Sequence, residues 1–271
     1  MAEKRSEAKA TGTTKGPKHA AKETARLKPV WKARFRVLSY DIDFRSRLRI
    51  SNLCGFFQDI AGGHAEHLGV GYQHMLESGR VWVLSRLYIK IHAYPKWEDE
   101  LKVETWPTGM ERLFFRREFE VFRDRQKMIS ASSYWLALDT GTMRPQLFPI
   151  DEDVISRNAG HHALDEGMES IPSPAGAHQV TSTREVRYSE IDQNLHMNNT
   201  RYIEWIMDQF DISHLETSMP HFLAIEFRHE VKAQDVVHIR KTTDPQNANV
   251  FLMEGILDTS NQVCFRAKVM F

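Results

Sequence analysis

The chain repeats itself, and that repeat constrains its fold more than any other feature. Laid without gaps under Ile191–Asp208, the segment Ile42–Asp59 places Ile42 under Ile191, Asp43 under Asp192 and Asp59 under Asp208, with Phe56 and Phe57 under Trp205 and Ile206. The offset is constant at 192 − 43 = 149 residues. Further on, Val121–Met128 resembles Ile256–Val263 at an offset of 256 − 121 = 135, and both read as strand, polar turn, strand. A repeat this long means two tandem copies of one unit rather than a solenoid. Each copy reads as a strand, a long helix and four further strands, and 271 residues with 41% hydrophobic content suffice for two cores.

In the first copy, Trp31–Ser39 alternates as a strand. From Ile50 the residues Leu53, Cys54, Phe57, Ile60, Ala61, His64 and Leu68 trace one face of a long helix, with Ser51 as its cap and Gly69 near its end. Val81–Ile91, Leu101–Trp106, Leu113–Arg123 and Lys127–Asp139 then form an antiparallel meander, as their short connections require. In the second copy a short strand closes at Tyr188 and a helix runs from about 199 to 215. Strands follow near 222–231, 235–242, 248–257 and 263–271. A long helix against such a sheet is an α+β layer. Residues 141–180, rich in Pro and Gly, read as the linker between a unit at 30–140 and one at 181–271.

The chemistry concentrates where the second copy departs from the first. Asp192, Asn194, His196, Asn198 and Asn199 fall within eight residues, immediately before Tyr202, Ile203, Ile206, Met207 and Phe210 at helical spacing. Asn198 or Asn199 is the expected N-cap. The free N–H groups of a helix start favour developing negative charge, such as the oxyanion formed when water attacks an acyl carbonyl. Asp192 and His196 could then move protons, and Asn194 could orient water or carbonyl. A capped, Asn-rich turn is the plainer reading. Against it, Asn194 and His196 stand opposite Arg45 and Arg47, so only the second copy keeps the polar set. Downstream, Glu226 and Glu230 are four apart and fall on one strand face with Arg228 in phase, a pattern that also fits a solvated face. If Glu230 meets the turn, a second carboxylate is available to activate water.

Thirty-six basic and 36 acidic residues balance, which gives no reason to expect nucleic acid. Cys54 and Cys264 lie in apolar surroundings and form no disulfide framework, as expected of reduced thiols in a cytosolic-type protein. No apolar run reaches membrane-spanning length, and no secretory signal opens the chain. Residues 1–29 read as a disordered basic tail, and Glu3, Glu7 and Glu23 argue against a transit peptide. His64 and His67 lack a third ligand pattern, so no metal is expected.

Asp192-x-Asn194-x-His196-x-Asn198-Asn199-x-x-Tyr202-Ile203, followed by Glu226-Phe227-Arg228-x-Glu230, resembles the acyl-[acyl-carrier-protein] thioesterases of plants and bacteria. The similarity spans about residues 33–271 and includes Tyr94-Pro95-x-Trp97-x-Asp99 and Arg116-Arg117. It implies a double hot-dog fold, two long helices packed against a curved antiparallel sheet, with 30–140 binding the acyl chain and 181–271 catalytic. It implies Asp192, Asn194, His196 and Glu230 as the catalytic set and no cofactor. The partner it implies is acyl carrier protein bearing a fatty acyl chain, with no nucleic acid or membrane, and a homodimer as one allowed assembly. The reduced thiols and the acidic residues against a transit peptide make the bacterial cytoplasm the expected setting over the plastid. Because the carrier is acidic, Arg112, Arg116 and Arg117 are candidates for docking it. Plant members often carry Cys after the second Glu; here that position is Val231, so a covalent cysteine at this point is ruled out and water attack remains. A coenzyme A thioesterase, a hot-dog dehydratase and a non-catalytic acyl-thioester sensor are the rival readings.

Overall fold

Ile50, Leu53, Cys54, Phe57, Ile60, Ala61 and His64 recur at three- and four-residue spacing and all are buried, so Ile50–His67 forms a helix, α1, with one apolar stripe. Gly69, at φ +70°, sits just beyond its last turn, where a left-handed residue ends a helix most cheaply. The cap position is Arg49, with no side-chain bond to the helix; Ser51, expected there, is buried inside the first turn.

The computed structural model describes residues 27–271 apart from 149, 166, 168 and 175–179. The tail expected over 1–29 therefore lies outside the described residues up to position 26. Leu27 packs beside Leu68 and Val70. In chain order the remaining elements are β1 (Trp31–Arg36) before α1, then α2 (Tyr72–Glu77), β2 (Arg80–Ile91), β3 (Glu100–Glu111), β4 (Phe114–Arg123), β5 (Gln126–Asp139) and α3 (Glu152–Asn158). The second half holds β6 (Val180–Glu185), α4 (Asn199–Met207), α5 (Ile212–Thr217), β7 (Phe222–Phe227), β8 (Val236–Asp244), β9 (Asn247–Leu257) and β10 (Val263–Met270).

Among the described residues, ten strands form one antiparallel sheet in the order β1-β3-β4-β5-β2-β7-β10-β9-β8-β6. Read outward from the β2·β7 joint, both halves have the same order, so the sequence repeat is a structural one. At the joint Arg86 to Lys90 pair with Glu226 to Phe222. One core fills the helix side, where Phe57 and Ile60 of α1 and Ile203 and Ile206 of α4 meet Leu87, Phe119, Leu223, Ile225 and Phe265. The helix expected over 199–215 is two helices, because α4 ends at Met207 and the chain restarts with Asp211 as the cap of α5.

The connection between the repeats is not an idle loop. It contains α3 and then runs across the sheet face opposite the helices, where Tyr88, Tyr134, Leu164, Ile171 and Phe222 form a second cluster. Buried carboxylates hold it there: Glu118 accepts the Ala163 N–H at 3.1 Å, Glu226 the Ile171 N–H at 2.9 Å and Glu254 the Ser173 hydroxyl at 3.0 Å. A buried carboxylate needs such donors or a cation to remain charged.

Candidate active site

β6 ends at Glu185, and a single 3-10 turn, Tyr188–Glu190, stands where a strand was expected. A tight turn follows, closed by a bridge between Ile191 and Met197. The Asp192 N–H donates to the His196 carbonyl at 2.9 Å, and the Leu195 N–H to the Asp192 carbonyl at 3.0 Å. Asp192 Oδ1 accepts the N–H groups of Asn194 at 2.8 Å and His196 at 3.4 Å. Leu195 sits at φ +63°, the left-handed residue that lets the chain reverse.

The first repeat makes the same turn. Ile42 bridges Leu48, the Asp43 N–H reaches the Arg47 carbonyl at 2.8 Å, and Ser46 has φ +58°. Asp43 Oδ1 accepts the N–H groups of Arg45 at 2.8 Å and Arg47 at 3.0 Å. The aspartate thus serves the backbone in both copies, and what differs is the pair of side chains that the turn presents.

Those side chains reach the second carboxylate because the turn docks on the segment after β7. The Met197 N–H donates to the Val231 carbonyl at 2.7 Å, and His196 bridges Lys232. This brings His196 Nε2 to 3.3 Å from Glu230 Oε2, with both side chains partly exposed. Glu226 does not share that face. β7 stops at Phe227, so strand alternation ends before Glu230, and Glu226 is buried on the opposite face, where Arg228 binds it at 2.8 Å.

Asn198 is the cap of α4: its Oδ1 accepts the Thr200 N–H at 2.9 Å, while its own N–H donates to the Glu190 carbonyl at 2.8 Å. The Asn199 N–H has no acceptor among the described residues. Asn199 lines a cavity of about 1000 Å³, together with Asp192, Asn194, His196 and Glu230. The cavity extends into the first repeat, bounded by Ala61 and Ala65 of α1, Met75 of α2, Trp82 and Leu84 of β2 and Trp135 of β5. Its lining is mainly apolar, with Gln58, Arg116 and Arg117 among it in the first repeat and the polar turn in the second, which suits a ligand with a long hydrocarbon part and a reactive head. α2 was not legible in the sequence, and it brings in Tyr72, whose hydroxyl donates to Asn194 Oδ1 at 3.1 Å. A six-residue helix leaves too short a periodic signal to separate from a loop.

Other sequence candidates are otherwise engaged. Arg116 is buried in contact with Glu118 and donates to the Leu164 carbonyl at 2.8 Å. Arg117 faces α1, bonding His64 Nδ1 at 3.2 Å and Thr105 at 3.3 Å, and burial lowers its pKa to about 10. Of the three arginines considered for docking a carrier, Arg112 is the exposed one. His64 and His67 both contact Lys28, through its carbonyl at 2.9 Å and its N–H at 3.0 Å. Burial, with the Arg117 charge beside it, pushes His64 down to about 3, so it is neutral. Burial raises both Cys54 and Cys264 to about 12, which keeps them as unreactive thiols.

The family models that match are the acyl-ACP thioesterase N-terminal domain over residues 28–157 and the acyl-ACP thioesterase C-terminal domain over 175–271. Oleoyl-acyl carrier protein thioesterase 2, chloroplastic, of Arabidopsis thaliana is 24% identical over 243 residues, covering 83% of this chain and 66% of that protein. The chain spans less than two thirds of that relative and 61% of its Coriandrum sativum counterpart. The crystal structure of an acyl-ACP thioesterase from Bacteroides thetaiotaomicron has a TM-score of 0.82 at 29% identity, covering 90% of this chain and 98% of that one. The 12:0-ACP thioesterase of Umbellularia californica is similar in fold, with a TM-score of 0.77 at 20% identity over 90% of this chain and 97% of that one.

Proposed function

Because this chain belongs to the acyl-ACP thioesterase family, we propose that it hydrolyses acyl-[acyl-carrier-protein] thioesters to free fatty acid and carrier protein, by direct attack of water, in fatty acid biosynthesis. The observation that carries the reading is the His196–Glu230 pair, 3.3 Å apart, lining a cavity of about 1000 Å³.

In this reading the acyl chain lies in the first repeat, between α1, α2 and β2, and its thioester carbonyl rests at the start of α4. Glu230 accepts a proton from a water that contacts both it and His196 on the cavity side while the water oxygen adds to the carbonyl carbon. The resulting oxyanion is met by the free Asn199 N–H and the Asn194 amide, donors already in position before charge develops. Collapse breaks the C–S bond, and the proton passes from Glu230, by way of His196, to the departing sulfur. Asp192 has a different task. Its carboxylate holds the N–H groups of residues 194 and 196, as Asp43 holds those of 45 and 47 in the copy without this polar set. It therefore shapes the turn rather than exchanging protons with substrate.

Two buried thiols with no disulfide fit a reducing compartment, and we assign the reaction to a bacterial cytoplasm. Among the described residues no helix is long and apolar enough to cross a membrane. The test is release of free thiol from matched acyl donors across a ladder of chain lengths. Faster turnover of carrier-protein substrates, falling steeply with added salt, supports an acidic carrier as partner. Equal or faster turnover of the coenzyme A esters would reassign the donor, and binding without turnover would make the chain an acyl-thioester sensor.

A further inference from the structure

Asn194 stands on an exposed turn, yet it is held at both ends. Its N–H donates to Asp192 Oδ1 at 2.8 Å, and its side-chain oxygen accepts from the Tyr72 hydroxyl at 3.1 Å. Tyr72 belongs to the other repeat, and several contacts fix its approach. As the first residue of α2 it donates its N–H to Glu66 Oε1 at 3.0 Å. Gly71 leaves room for that carboxylate, since a Cβ there would lie 2.1 Å from Glu66 Cδ. Trp82 Nε1 ties the preceding Val70 carbonyl to β2 at 2.9 Å.

The same reach is made in the opposite direction. At the repeat-equivalent position Arg45 donates to the Glu216 carbonyl of α5, and Arg47 to that of Leu215 at 3.5 Å. Each repeat's short second helix therefore lies over the other repeat's turn. Only in the direction of the active turn does the contact come from a hydroxyl to an amide.

A carboxamide has a donor end and an acceptor end of nearly the same shape, and reversing it exchanges their positions. A phenol is a better donor than acceptor, so Tyr72 favours the orientation in which Oδ1 faces the hydroxyl and the Nδ2 hydrogens are left for the cavity. We propose that Tyr72 is a positioning residue for thioester hydrolysis: it orders Asn194 so that the amide N–H2 meets the reacting carbonyl. This rests on the role given to Asn194 above.

The experiment is a double-mutant cycle on the full chain. Tyr72→Phe, which removes one oxygen, should lower kcat roughly three- to tenfold, the range of one ordinary hydrogen bond, with KM within about twofold and the melting temperature unchanged. In an Asn194→Ala background the same change should have no further effect on kcat, because its target is gone. Full turnover in Tyr72→Phe beside an impaired Asn194→Ala would overturn the inference alone, as would an equal loss in both backgrounds. Wild-type turnover in Asn194→Ala would remove the role of Asn194 itself, and this inference with it.

Discussion

Arg47 and His196 stand at the same point of two turns of one shape: the carbonyl of each accepts the N–H of the aspartate four residues earlier, from Asp43 at 2.8 Å and from Asp192 at 2.9 Å. The imidazole faces a cavity, whereas the guanidinium turns back to its own aspartate and to the α5 end of the other repeat. Arg47 pairs with Asp43 at 2.9 Å and lies 5.7 Å from the Tyr94 ring centre.

Arg47→Ala should therefore cost stability and not chemistry. It leaves Asp43 without its ion pair, and the loss expected is about 1–3 kcal/mol. Chemical denaturation measures it, while kcat per folded molecule should stay unchanged.

His196→Ala and Glu230→Gln should each lower kcat by about two orders of magnitude or more, the range for removing a positioned proton-transfer group. Because the two act on one water, the double variant should be little worse than the poorer single one. Steady-state kinetics on variants with native circular dichroism would show this; additive losses would separate their roles.

Asp192 gives a contrasting case. Asp192→Asn keeps an oxygen for the two N–H groups and should lose less than about tenfold in kcat, well short of the loss expected for a general base. Asp192→Ala removes the acceptor and should lower both activity and melting temperature. A collapse of activity in Asp192→Asn with native stability would return the proton-transfer role to this residue.

Iodoacetamide should leave activity intact. Alkylation requires thiolate, and burial holds Cys54 and Cys264 protonated, pushed up to about 12. Mass spectrometry should find both thiols unlabelled in the native protein and labelled after denaturation.

His64 makes the fold acid-sensitive. Burial holds its folded pKa at about 3, below the 6.5 of an ordinary imidazole, so below pH 6.5 the unfolded chain takes up a proton that the folded chain does not. Stability contributed at this site is complete above about pH 6.5 and falls as pH drops toward 3, by at most about 1.4 kcal/mol per pH unit for one proton. His64→Gln should show a shallower fall in melting temperature between pH 7 and pH 4.5 than the parent.

The parts of this fold legible in the sequence are those with local periodicity. α1 and the paired strands β4 and β5 announce themselves by spacing, and the turn at Asp192 stands out because Arg45 and Arg47 occupy its counterpart. What stayed hidden depends on distant partners. Nothing near Tyr72 in sequence points to Asn194, and Ser51 looked like a cap although the chain enters α1 through Arg49. Glu226 and Glu230 looked like neighbours on one strand, since only the end of β7 at Phe227 separates their faces. Arg116 and Arg117 read as surface charge because Glu118 and His64, which engage them, come together only in the folded sheet.

The pairing of β2 with β7 carries a consequence for any attempt to shorten this chain. Severed from its companion, the C-terminal half would present Phe222 to Glu226 as a raw margin of unmatched amides and carbonyls, open to stacking on a neighbouring molecule. It would also lose the Trp82 and Trp135 wall of the cavity. A minimal version built from the C-terminal half alone would precipitate rather than work slowly.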